Sequence, residues 1–290
     1  YNDYEMCPGK EETVSCIENV LDEVIDLFPS HYIHIGGDEA GKDSWHTCPD
    51  CQKRMKDEGL KNVEELQSYL ISRVERYVNA KGRDIIGWDE SLEGGLAPKA
   101  TVMSWRGTEG GIEAVKAGHT AIMTPGKFCY LDHPQDAPYK EPAGMGGFVS
   151  LSDVYSYNPT EGFPEGSDKL VLGVQGNLWT EFIPIDEHCE YMYYPRAFAI
   201  AEIGWASPDN KAYKQFRDRA LIACRHLNTM GYNTFDLANE VGPRPESRKE
   251  VSHIAKGAKV TYNIPWTSNY AASGETTLTD GMQGSWSHGD

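Results

Sequence analysis

Positive charge is what this chain has least of: 27 Lys and Arg stand against 44 Asp and Glu, a formal net charge of −17. That balance argues against nucleic acid or an anionic membrane surface as a partner, because both are polyanions. No apolar run approaches the length of a membrane span, and the N-terminus lacks a signal-peptide pattern. The chain starts at Tyr1 without a Met and is expected to be a piece of something longer, so its compartment stays open. Its seven cysteines (Cys7, Cys16, Cys48, Cys51, Cys129, Cys189 and Cys224) are odd in number and scattered, which is not a disulfide framework. Gly144-Met145-Gly146-Gly147 has no phosphate-loop Lys and follows no strand, and the Gly-x-Ser-x-Gly elbow of esterases is missing. Internal repeats and low-complexity tracts are also absent.

Hydrophobic content of 39% and aromatic content of 11% over 290 residues are those of a folded chain with a sizeable core. Val14, Ile17, Leu21, Val24 and Phe28 step by three and four, which predicts a helix stopped by Pro29-Ser30. A short apolar strand, Tyr32–Ile35, follows it. Residues 41–61 read as a polar loop, and Val63, Leu66, Leu70, Val74 and Tyr77 predict a second helix. Strands are expected at Asp84–Trp88, Thr101–Trp105 and Thr120–Thr124, with a short helix around Gly111–Ala117. From Pro125 to about Lys169 the rhythm breaks in a long segment rich in Pro, Gly and Tyr, of the kind that serves as a lid or binding wall. Strand Leu170–Gln175 and two helices, around Glu187–Ile203 and Asn210–Met230, complete the pattern.

This alternation predicts a parallel sheet with helices outside. Five strands in βα order, where a closed (β/α)8 barrel needs eight, suggest roughly the last five-eighths of a barrel over residues 1–240. Residues 241–250, with Gly242-Pro243-Arg244-Pro245, read as a linker. Residues 251–290 read as the start of a β-rich domain, similar to the galactose-binding-like sandwiches that accompany glycosidases; too few are present to close one.

The stretch around which the rest is organised is His31-Tyr32-Ile33-His34-Ile35-Gly36-Gly37-Asp38-Glu39-Ala40. A strand here runs into two glycines, which permit a sharp turn, and then into two adjacent carboxylates, where a barrel enzyme keeps its chemistry. One ionised carboxylate raises the pKa of its neighbour, which suits a general acid. Later strand ends carry Trp88 in Gly-Trp-Asp-Glu, Trp105 in Ser-Trp-Arg-Gly, Tyr130 and Asp132 in Tyr-Leu-Asp, and Trp179 and Glu181 in Leu-Trp-Thr-Glu. A single Trp is usually core. Three at strand ends beside acids suit a sugar, with aromatic faces against its C–H faces and carboxylates accepting its hydroxyls. Cys48-Pro49-Asp50-Cys51 with His46 nearby is one pair without a second, so a loop thiol pair or local disulfide is expected and no metal.

His-x-Gly-Gly-Asp-Glu resembles the signature of the family 20 glycoside hydrolases, the β-N-acetylhexosaminidases, and the strand-end motifs follow in that family's order. The resemblance implies exo-acting hydrolysis of terminal β-linked GlcNAc or GalNAc without a cofactor, on an N-acetylhexosamine-terminated oligosaccharide or glycoconjugate. It implies that Glu39 is the general acid and that Asp38 orients the substrate's own 2-acetamido nucleophile, an exception to the usual two-carboxylate scheme. It further implies that Tyr130 holds the acetamido oxygen, that Trp88, Trp105 and Trp179 wall the sugar, and that Asp132 and Glu181 read outer hydroxyls. Family members also use an arginine and a histidine on early strands, which would precede Tyr1, and they are often periplasmic, cell-surface or secreted. Two rival readings stand beside this one: a binding barrel without catalysis, and a two-carboxylate glycosidase with Asp38 or Glu90 as nucleophile. The oligomeric state and the choice between GlcNAc and GalNAc are not legible.

Overall fold

The computed structural model describes residues 5–136, 141–242, 252–261, 279 and 281. The first helix, α1 (Glu11–Leu27), forms where the apolar steps predict it, with Glu11 and Glu12 at its positive end. Strand β1 (Tyr32–His34) follows, then a 3₁₀ turn (Lys42–His46) and α2 (Pro49–Glu58), where the sequence suggested only loop. Helix α2 is almost wholly polar and buries only Cys51, so it has no apolar stripe to betray it. Its ends carry the signal instead: Pro49 fills the first helical position, where a missing N–H costs nothing, and Gly59 closes the helix at φ +70°.

Helix α3 (Val63–Ala80) starts at Asn62, whose side-chain oxygen accepts the Glu65 amide at 2.8 Å. Strands β2 (Asp84–Trp88), β3 (Thr101–Ser104) and β4 (Ala121–Met123) follow, with α4 (Glu109–Lys116) between the last two. Strands β1 to β4 pair in parallel, with Ile33 opposite Ile85, Gly87 opposite Val102, and Met103 opposite Ile122. Strand β5 (Val171–Val174) extends the sheet, whose spatial order is the chain order, β1-β2-β3-β4-β5. This is the α/β architecture of consecutive barrel staves that the sequence implies.

Two compact units divide the chain. In the first (residues 1–125 and 159–173), Leu21 of α1, Ile33 of β1, Ile71, Val74 and Val78 of α3, and Ile85 of β2 share one buried cluster. Each fully buried aliphatic side chain contributes roughly 1.5–3 kcal/mol, so this seam holds α1, α3 and the first two strands together.

The second unit (126–158 and 174–290) holds α5 (Gly126–Cys129), α6 (Leu151–Ser156), α7 (Asp186–Tyr193), α8 (Arg196–Trp205) and α9 (Tyr213–Thr229). Helix α6 has a reciprocal cap, with the Asp153 amide on the Ser150 hydroxyl and the Ser150 amide on the Asp153 carboxylate. The single helix expected over Glu187–Ile203 is two, because Pro195 has no N–H for a helical bond and its ring clashes with the preceding turn. The linker expected at 241–250 lies, from Pro243 on, outside the described residues, as does most of the β-rich segment expected at 251–290. Among the described residues there, 252–261 hold a turn at 254–257 and no strand.

Candidate active site

The turn after β1 is built on its two glycines. Gly36 and Gly37 have φ of +75° and +95°, which a side chain would strain. The Gly36 carbonyl accepts the Trp88 amide at 3.0 Å, and the Gly37 carbonyl accepts the buried Gln67 side chain at 2.9 Å. The turn is therefore tied to both β2 and α3. His34 Nδ1 accepts the Gly36 amide at 3.1 Å, and its ring meets Trp88 edge-on at 4.8 Å. Desolvation lowers the His34 pKa, against the opposing pull of Asp38. A neutral ring is what the accepting Nδ1 requires.

Past this turn Asp38 and Glu39 are exposed to solvent. Glu39 has φ +47°, and among the described residues no other non-glycine side chain has a positive φ. Such a conformation costs an L-residue roughly 1–2 kcal/mol, and strain of this kind concentrates at functional sites. The two carboxylates border a cavity of about 730 Å³ in the first unit. Ile17, Val20 and Leu21 of α1 and Leu70, Ile71 and Val74 of α3 make most of its wall aliphatic. Aliphatic walls suit a hydroxylated ring poorly, so the polar chemistry is confined to the carboxylate rim.

Trp88 ends β2 buried, clustered with Ile86 and Met103, and Trp105 packs on that cluster just past β3. The Trp105 indole N–H donates to Glu90 Oε2 at 2.9 Å. Asp89, also buried, pairs with Arg106 at 2.9 Å, and Arg106 reaches on to Glu93 at 2.9 Å. Burial raises the Asp89 pKa and the Arg106 charge opposes it.

The other predicted residues belong to the second unit. Tyr130 sits beside Asn177 in an isolated parallel bridge, and its ring lies 6.5 Å from that of Trp179 and 6.4 Å from that of His133. Trp179 is 42% exposed, unusual for a residue of its size. Asp132 is buried, and among the described residues neither of its carboxylate oxygens has a hydrogen-bond partner. Burial raises its pKa, Glu181 adds to that by like charge, and Arg196 and His133 pull the other way. A buried carboxylate left this way calls for a donor, and a hydroxyl group could satisfy it.

Sequence reading missed Arg196, which is fully buried in α8. Its guanidinium donates to the carbonyls of Leu131 at 2.6 Å, His133 at 2.8 Å, Val149 at 2.8 Å and Met192 at 2.7 Å. Leu131 and His133 flank Asp132, so one side chain grips the backbone on both sides of that carboxylate. Arg196→Met keeps the volume but strands four buried acceptors, and a loss of about 3–5 kcal/mol is expected from breaking such a network. A urea midpoint that moves by less than the equivalent of about 1 kcal/mol would show that water replaces the guanidinium.

The model of "Glycosyl hydrolase family 20, catalytic domain" matches residues 1–208. A β-hexosaminidase of Porphyromonas gingivalis is 48% identical over 229 residues, covering 78% of this chain and 30% of that protein. One of Vibrio furnissii is 36% identical over 208 residues, covering 70% and 34% respectively. The chain therefore spans about a third of the length of these relatives. A crystal structure of an exo-β-N-acetylglucosaminidase of Vibrio harveyi in complex with N-acetylglucosamine superposes with a TM-score of 0.76 at 29% identity, covering 82% of this chain and 38% of that one.

Proposed function

The chain belongs to glycosyl hydrolase family 20, and from that premise we propose that it carries the acid pair of an exo-acting β-N-acetylhexosaminidase. Its substrate is a terminal, non-reducing β-linked N-acetylhexosamine on an oligosaccharide or glycoconjugate. The observation that supports this most is the acid pair itself, held just past a double-glycine turn at the C-terminal end of β1, with Glu39 at φ +47°.

In this reading Glu39 donates its proton to the glycosidic oxygen as the C1–O bond breaks. The substrate's acetamido carbonyl oxygen attacks C1 from the opposite face, giving an oxazolinium ion. Asp38 orients the acetamido N–H and balances the positive charge that develops on it. Glu39, now a carboxylate, takes a proton from the water that opens the ring at C1, so the configuration is retained. The Tyr130 hydroxyl donates to the acetamido oxygen, Trp88, Trp105 and Trp179 wall the sugar, and Asp132 and Glu181 accept its outer hydroxyls. The Asp132 carboxylate, without a hydrogen-bond partner among the described residues, suits that role. Glu90 already accepts the Trp105 indole, so it is better explained as the holder of that wall than as a nucleophile.

Hydrolysis of chromogenic β-GlcNAc beside the matching β-glucoside tests the reading, using the natural protein. Cleavage of the acetamido sugar alone is the expected outcome. Cleavage of both sugars would favour a two-carboxylate glycosidase. Failure of the natural protein on either sugar would favour a binding barrel.

A further inference from the structure

Away from the carboxylates, Cys7, Cys48 and Cys51 bring their sulfurs within 4.8 Å of one another. Cys7 Sγ is 3.6 Å from Cys48 Sγ and 3.5 Å from Cys51 Sγ. A disulfide joins sulfurs at about 2.05 Å. Sulfurs bound to one tetrahedral zinc at about 2.3 Å stand about 3.8 Å apart. Both separations from Cys7 match the second figure.

The local chain builds this cluster deliberately. Cys48 caps α2 and Cys51 lies one turn on, so the pair shares one face of the first turn. Cys7 arrives from 41 residues away in sequence, on the loop before α1. That loop lies flat on the start of α2 because residue 9 is glycine: a Cβ there would sit 2.3 Å from the Asp50 carbonyl carbon and 2.4 Å from the Cys51 nitrogen. Two further bonds hold the loop, from the Trp45 indole to the Met6 carbonyl at 3.1 Å and from the Ser44 hydroxyl to Glu5 at 2.6 Å. The surroundings are apolar, with Trp45, Met55, Leu60, Val63 and Leu66 packed about the sulfurs. One disulfide could use only two of the three thiols, whereas a metal uses all of them.

We propose that Cys7, Cys48 and Cys51 bind one Zn²⁺ through their three sulfurs, with a solvent molecule as fourth ligand. Soft thiolates select zinc over magnesium or calcium, which take oxygen ligands. Binding displaces the three thiol protons. The ion fastens the loop before α1 to the segment that directly follows Asp38-Glu39, so its effect is on how that segment is held.

The test is made on the whole chain, reduced and stripped of metal, and titrated with Co²⁺ and then Zn²⁺. One cobalt per chain is expected, with thiolate-to-metal charge transfer in the near ultraviolet and the visible bands of a tetrahedral ion, both abolished by one equivalent of Zn²⁺. Cys7→Ser should weaken zinc binding by more than the roughly 10- to 100-fold that outer-shell changes cost, and Cys16→Ser should leave it unchanged. Should Cys7→Ser not fold, the unmodified chain still decides: zinc should lower the number of thiols reacting with Ellman's reagent by three. An unchanged thiol count, a cobalt spectrum without thiolate charge transfer, or a disulfide within this trio in the native protein would overturn the proposal.

Discussion

Replacing Glu39 with Gln should slow hydrolysis of N-acetylhexosaminides with poor leaving groups by about 10²- to 10⁴-fold, the usual worth of a positioned proton donor. A sugar or alkoxide cannot depart without that proton, whereas a nitrophenolate can. The loss should therefore shrink sharply on the activated substrate, and kcat rather than KM should carry it. Gln has the same shape as Glu and one more donor, so the turn at residue 39 is kept while the acid is removed. The measurement is kcat for a disaccharide and for an aryl glycoside, side by side. Equal losses on both would mean that Glu39 does something other than protonate the leaving oxygen.

Asp38→Asn should leave substrate affinity within a few-fold and lower kcat by about 10²- to 10³-fold, the scale on which a single preorganised electrostatic partner contributes to a transition state. Asparagine still accepts a hydrogen bond from the acetamido N–H, but it carries no charge to balance the oxazolinium. Thiazoline-type analogues that mimic this cation should lose affinity in the variant by a factor approaching the loss in kcat, because both report the same interaction. If the variant kept wild-type kcat, or if substrate and cation mimic lost affinity equally, the acetamido-orienting role would be wrong.

Much of this architecture was legible in the residues, and the reasons for the exceptions are specific. Helices α1 and α3 advertise themselves because each buries one face, and burial writes a period into the sequence, while β2 and β3 are buried almost throughout and read as short apolar runs instead. Helix α2 buries only Cys51, so its evidence lay in Pro49 and Gly59, end signals that do not depend on periodicity. The break before α8 is legible only as Pro195. Cys48 and Cys51 were visible as a pair, while Cys7 was not, since nothing local says which distant loop returns to a helix start. Gly9 held a trace of it, because a glycine with no positive φ to justify it often marks a close approach of two backbones. Arg196 left no trace at all. Its partners are main-chain carbonyls, which every residue has and no side-chain pattern can announce.

The grip of Arg196 has a consequence for how a sugar would be received. Ordering one residue of irregular backbone costs roughly 1–2 kcal/mol of conformational entropy. Among its described residues, the segment from Leu131 to Val149 has few ladder bonds to meet that cost, yet one guanidinium fixes three of its carbonyls. The cost is thereby met during folding and not on encounter with a ligand. In the proposed reading, a binding segment ordered in advance should bind with little change in loop protection against hydrogen exchange and with an association rate set by diffusion and orientation, not by a slow closing step. It should also be brittle: loosening α8 would disorder the backbone on both sides of Asp132 together. If Asp132 reads a hydroxyl as proposed, stability of that helix and selectivity at that carboxylate are a single inherited trait, which cannot be tuned separately by substitution at position 196.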